Sequence, residues 1–121
     1  MFEFSKNIEP YVQVELDLAK QARCQNESAK EFHYLENAHI LGQESTYHHT
    51  RVHILMLFWG IRQRSFREVL GQLPRIVGAF TKTAIGLIPF GNTGGSNVHP
   101  FKSLPLSAKH AQIITAAKSN A

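Results

Sequence analysis

The chain has 121 residues, 43% hydrophobic and 18% charged, which is the length of one domain with enough apolar material to fold alone, so a single domain over 1–121 is expected. Its most apolar stretch, "VHILMLFWGI", is ten residues held between Arg51 and Arg62, far short of the ~20 that a bilayer-spanning helix needs. A single cysteine, Cys24, excludes an intrachain disulfide and a CxxC metal knuckle.

The start, "MFEFSKNIEPYVQ", lacks a basic leader followed by a long apolar run, so no signal peptide is expected and a cytoplasmic location is the default. The formal net charge is +4, unevenly spread: residues 1–44 carry four basic and eight acidic side chains, residues 45–121 nine basic and one acidic. This asymmetry points either to an anionic partner for the second half or to two halves that neutralise each other across a contact. No basic cluster is denser than "RQRSFR" and few aromatics interleave with it, so nucleic acid is not expected as a partner.

Pro10 suits a first helical turn, and Val12, Leu16 and Ala19 recur at spacings of four and three, predicting a first helix over about 9–24. A second is predicted over about 27–41, with Ala29, Phe32, Leu35, Ala38 and His39 on one side and Gly42 as a left-handed C-cap. The turn "GQES" is short, so a third helix over about 45–63 should run back antiparallel to the second. That helix is apolar nearly all round, the mark of a central element. Ser65 with Glu68 three positions on forms a capping box that opens helix four. Its stripe of Phe66, Val69, Leu70, Leu73, Ile76, Val77, Phe80, Ala84 and Leu87 keeps helical period, with a kink or break expected at Pro74. Trp59, Phe32, Phe58, Phe66 and Phe80 read as core.

Residues 89–106, "PFGNTGGSNVHPFKSLPL", hold four of the five prolines and read as a loop, after which Ser107 caps a short C-terminal helix. Leu-Gly-Gln recurs at 41–43 and 70–72, an echo that hints at two related helical hairpins of tetratricopeptide-like size, with Gln43 and Gln72 closing helix ends. The expectation is an all-α fold of four or five helices, in which helices two and three form an antiparallel hairpin packed against helix four.

Taken in order, "FHYLENAHILGQES", "H...H..ML.WG..QR", "EVLGQ..R" and "P.GNTGG.NV.PF" resemble the bacterial DUF3703 proteins, a domain of unknown function, over about residues 8–117. The resemblance implies a small, mostly helical bacterial protein. It falls on Leu35, Glu36, Ala38, His39, Leu41, Gly42, Gln43, His49, His53, Trp59, Gly71, Gln72 and the Gly91 to Gly95 loop, and it carries over no catalytic residue.

His49 and His53 are four apart, so on a helix they project from one face one turn apart, the spacing of HxxxH metal ligands. Glu36 and His39 are three apart on the preceding helix, the Glu-x-x-His arrangement of di-iron bundles. In an antiparallel hairpin the pairs come level, and three imidazoles with one carboxylate suit zinc, copper or iron. The alternatives are a polar network between helices, or exposure. Thr50 stands where HExxH requires Glu, which excludes that protease class. His48 reads as packing or capping, and His33, His99 and His110 look isolated.

The stretch "GNTGGSNV" could offer backbone N–H groups to an anion, with Gly91, Asn92, Thr93, Gly94, Gly95 and Asn97 as candidate contacts and Arg75 and His99 as companions. It lacks GxxxxGK[ST] and GxGxxG, so a tight-turn loop that holds the C-terminal segment over the core is the competing reading. Cys24 has no histidine at an informative spacing, and no GxSxG elbow occurs. The leading functional expectation is therefore a non-enzymatic interaction module with a protein partner. A Glu/His metal-binding protein is the alternative, and a binder of, or enzyme on, a small anionic ligand at 91–97 is the third.

Overall fold

The computed structural model describes residues 2–84, 94–96 and 105–119, and the regular structure among them is entirely helical: α1 (Phe2–Cys24), α2 (Ser28–Gly42), α3 (Thr46–Arg62), α4 (Phe66–Ala84) and α5 (Ala108–Ser119). The all-α expectation therefore holds. No helix among the described residues is long and apolar enough to cross a membrane.

Helix α1 begins seven residues before the predicted start at 9 because Phe4 and Ile8 extend the Val12 and Leu16 row at spacings of four, and all four side chains are buried. Pro10 lies inside the helix rather than at its first turn. It is exposed, as is Lys6, whose carbonyl loses the hydrogen bond that a proline cannot donate, so water can satisfy that carbonyl. The same holds for Pro74. Helix α4 runs through it unbroken, with Pro74 and Leu70 both on the solvent side.

Serine caps open three helices: Ser45, Ser65 and Ser107 each accept from the backbone N–H three residues on, at His48, Glu68 and His110. The predicted capping box at Ser65 is only half formed, because the Glu68 carboxylate turns away to Gln72 and Ser96. Helices α1 and α3 end alike. Asn26 and Arg64 adopt φ of 58° and 56°, and the next residue's N–H reaches back five positions, Glu27 to Ala22 O and Ser65 to Gly60 O, each at 2.9 Å. Both turns are Schellman motifs with a non-glycine residue at the left-handed position.

These turns pair α1 with α2 and α3 with α4, while α2 lies against α3 and α5 crosses α1 and α2. Helices α2 and α3 touch, and α4 meets this pair through α3 alone, with no packing on α2 among the described residues. The two matching turns are 38 positions apart, whereas the Leu-Gly-Gln echo is about thirty apart and falls at the end of α2 and the middle of α4. Those strings occupy unrelated structural positions. Gly42 is helical, not left-handed; a Cβ there would lie 2.7 Å from His48 Cβ, so the glycine permits close approach of α2 and α3.

The core joins Phe4, Ile8, Val12, Leu16 and Ala19 of α1, Leu35, Ala38 and Leu41 of α2, Val52 and Met56 of α3, and Ile114 and Ala117 of α5. Phe32 and Trp59 stack at its edge with centroids 4.5 Å apart, and Trp59 Nε1 donates to Ser28 O at 2.9 Å. Charge is neutralised between the two sequence halves at two places: Arg62 pairs with Glu31, and Lys118 with Glu44 at 2.8 Å. Burial raises the Glu31 pKa while Arg62 and Arg23 oppose the rise.

The expected aromatic core is wrong at three positions. Phe58, Phe66 and Phe80 are all exposed, and so are Leu70, Leu73 and Val77. Helix α4 turns its apolar stripe to solvent and presents Glu68, Gln72 and Ala79 inward, where all three are buried.

Candidate metal centre

Three helices and one short segment build the site. The last turn of α2 supplies His39, and α3 supplies His49 and His53 one turn apart, as their spacing predicts. All three imidazoles are buried, with one ligand-capable nitrogen from each lying within 4.8 Å of the others. The rings surround a common point: centroids are 4.8 Å apart for His39 and His49, 4.7 Å for His39 and His53, and 4.9 Å for His49 and His53.

Protonation follows from the hydrogen-bond chain behind His53. Gln72 Nε2 lies 2.6 Å from Glu68 Oε2 and 2.8 Å from Gly94 O, both acceptors, so this end of the amide is the NH₂. Its Oε1 must then face His53 Nδ1, 2.6 Å away, and an amide oxygen only accepts. His53 therefore carries its proton on Nδ1 and turns the lone pair of Nε2 toward His39 Nε2 at 3.2 Å. In the metal-free chain His39 Nε2–H donates to it, and this hydrogen-bond spacing is close to the ~3.3 Å between two imidazole nitrogens on one tetrahedral ion at ~2.0–2.1 Å. One ring nitrogen of His49 lies within 4.8 Å of the ligand-capable nitrogens of both.

Burial lowers the His53 pKa to about 4; the Gln72 hydrogen bond opposes this and Arg75 adds to it. The ring is neutral at pH 7, the state a metal requires. Glu68 is itself held by Ser96, whose Oγ donates at 2.8 Å and whose N–H lies 3.2 Å from both carboxylate oxygens. The order Ser96, Glu68, Gln72, His53 is an outer chain of the kind that fixes the tautomer and direction of a metal-ligating histidine.

Gly94 closes the site over His39. It has φ +86°, and a Cβ there would lie 2.6 Å from His39 Cδ2 and 2.9 Å from Nε2, so only glycine fits both the backbone and the space. Residues 94–96 of the glycine-rich stretch thus lie against the histidine cluster. Where an anion was expected from outside, the Ser96 N–H meets the chain's own Glu68 carboxylate. Gly95 is buried beside Gly94, while Gly91, Asn92, Thr93, Asn97 and His99 lie outside the described residues. Arg75 stands on the same side, donating from Nη1 to Gly71 O at 2.7 Å; burial lowers its pKa and Glu68 opposes the shift.

Glu36 is not brought into the group of three. It is half-buried on α2, with Oε1 4.0 Å from His33 Nδ1. His48 packs rather than ligates, its Nε2 donating to Ser5 O at 3.0 Å and tying α3 to α1. Sequence reasoning missed Glu68 and Gln72 as site residues, assigning them to caps. One signal was available: Glu68 is the only acidic residue in 45–121, and Gln72 sits one turn after it.

No curated protein and no solved structure matches the chain. The model of one family, described as a protein of unknown function (DUF3703), matches residues 6–114, which takes in all three histidines, Glu68, Gln72 and Gly94. The chain belongs to the DUF3703 family.

Proposed function

We propose that the protein binds a transition-metal ion through His39, His49 and His53. The observation that carries this reading is the His53 Nε2 lone pair, fixed by Gln72 and aimed at His39 Nε2 3.2 Å away inside a buried three-imidazole group. In the metal-free chain His39 Nε2–H donates to this lone pair, and release of that one proton would leave two lone pairs at co-ligand spacing with a third buried imidazole beside them. Three neutral imidazoles without a carboxylate suit zinc, copper or ferrous iron and not calcium or magnesium. Glu36 takes no part as a direct ligand in this reading.

Metal analysis by mass spectrometry on protein purified without a histidine tag tests it, alongside the His39→Ala, His49→Ala double variant. The expected result is about one ion per chain, lost in the variant. Absence of metal after incubation with zinc, copper and ferrous salts, with the variant merely less stable, would make the cluster a hydrogen-bonded core. An interaction module is the second reading, supported by two successive hairpins and by the apolar face that α4 turns outward.

A further inference from the structure

The outward residues of α4 follow a pattern stricter than simple amphipathicity. Phe66, Leu70, Leu73, Val77 and Phe80 are spaced four, three, four and three apart, a heptad seam of period 3.5, and they are 81%, 69%, 49%, 65% and 65% exposed. At ~200 Å² per ring, the two phenylalanines alone leave roughly 300 Å² in water. The three aliphatic side chains carry the seam past the few hundred Å² typical of a monomer's largest apolar patch, toward the ~800 Å² per partner of a stable interface.

The two ends of the seam differ in shape. At one end Phe66 projects as the most exposed large apolar side chain among those described. At the other, Phe80 lines a largely apolar cavity of about 390 Å³ together with Tyr47, Thr50, Arg51, Ile54 and Leu55 of α3. Phe66 and Phe80 are fourteen residues apart, about 21 Å along a helix, with Leu73 midway. A twofold axis through Leu73 places the projecting ring of each copy at the cavity of the other, which is the self-complementarity an isologous contact requires.

Charge selects the same occupant. Among the residues flanking the seam, Arg67, Val69, Pro74, Ile76 and Thr81, only Arg67 is charged, and Arg51 is the only charge in the cavity lining, so the face is mainly apolar and suits an apolar partner better than an anionic one. An antiparallel pair holds the two Arg67 side chains roughly 18 Å apart, whereas a parallel pair sets them side by side. A lipid surface is disfavoured because the opposite face of α4, with Glu68 and Gln72, is buried against α3 and does not form the cationic solvent face of an interfacial helix.

We infer that α4 is the contact between two copies of this chain, paired antiparallel about Leu73, with Phe66 of the partner subunit seated in the cavity beside Phe80. The pairing is independent of whether the histidines hold a metal.

Sedimentation equilibrium of the untagged full chain over a wide concentration range tests it. The expected result is a monomer–dimer equilibrium with Kd weakened at least 100-fold by Leu73→Asp and at least tenfold by Phe66→Ala or Phe80→Ala, with helical circular dichroism retained. Leu70→Lys serves where Leu73→Asp fails to fold. In a Cys24→Ser background, a mixture of Phe66→Cys and Phe80→Cys proteins treated with diamide should form a disulfide-linked pair that neither protein forms alone. A monomer at every concentration, self-linking of the Phe66→Cys protein, or binding to anionic vesicles in place of self-association would each overturn the inference.

Discussion

The first hairpin buries the apolar row of α1, with Ile8, Val12 and Leu16 turned onto α2 and α3, while the second exposes the apolar row of α4 and buries Glu68 and Gln72. Both hairpins use the same Schellman turn and both contain an amphipathic helix, so neither turn chemistry nor periodicity sets the difference. Burying a carboxylate and an amide costs several kcal/mol unless both are satisfied. Here Gln72 uses its oxygen on His53 and both amide protons on Glu68 and Gly94, and Glu68 accepts three donors. Gly60 lets α4 come close enough for this, since a Cβ there would lie 3.2 Å from Glu68 Cβ. One hairpin is organised by apolar burial and the other by a closed polar chain.

The contrast breaks most directly by trimming each helix. Ile8→Ala, at a fully buried position, is expected to cost about 2–5 kcal/mol in urea unfolding. Leu70→Ala on the outer face of α4, read at a concentration where the chain is a single copy, should change stability by less than about 0.5 kcal/mol. Equal losses would mean that the α4 face is packed within its own chain.

Acid should strike the second hairpin. The unfolded chain takes up a proton at His53 near 6.5, while the folded ring stays neutral down to about 4. Between those values the unfolded state binds more protons, so stability of the metal-free protein falls as pH falls, by about 3 kcal/mol across the window. Comparison of the wild type with His53→Gln by urea titration at pH 7.5 and 4.5 isolates this share, and parallel losses in the two proteins would refute it.

Gln72→Leu keeps the size of the side chain but strands His53 Nδ1, the Gly94 carbonyl and part of Glu68, with an expected loss of about 1–3 kcal/mol. If the ion site is real, metal affinity measured by competition with a chelator should also fall about 10–100-fold, since the tautomer and aim of His53 are no longer fixed. Unchanged affinity would leave Gln72 a structural residue only.

The smallest effects lie where the hairpins are alike. Arg64→Gly should stabilise the protein by up to about 1 kcal/mol, because glycine adopts the left-handed conformation without a Cβ clash. Asn26→Gly should gain less, as asparagine already tolerates that region. Thermal melts of the two variants rank these gains, and a loss at either site would mean that its side chain holds the turn.

Much of the fold was legible. The boundaries of α2 and α3 came within one residue from periodicity and punctuation. The turn of spacing four, which puts His49 and His53 on one face, brought them to His39 as the hairpin geometry required. Misreadings arose where a residue has two uses. Pro10 looked like a helix start because its missing N–H costs nothing there; inside α1 it costs about 3 kcal/mol, which burial of Phe4 and Ile8 on the preceding turns offsets. Gly42 looked like a cap because glycine permits positive φ, but its lack of a Cβ is what α2 and α3 use.

By itself the sequence determined which segments are helical, through the 3.6-residue recurrence of apolar side chains, and which histidines share a helical face, because that depends only on local geometry. Only tertiary structure decided which face of α4 points inward. A periodic pattern defines two opposite faces but no direction, and the choice rested on partners distant in the chain: His53 on α3, and Gly94 and Ser96 beyond α4. The same long-range contacts joined the glycine-rich segment to the histidines and left Glu36 outside the group of three.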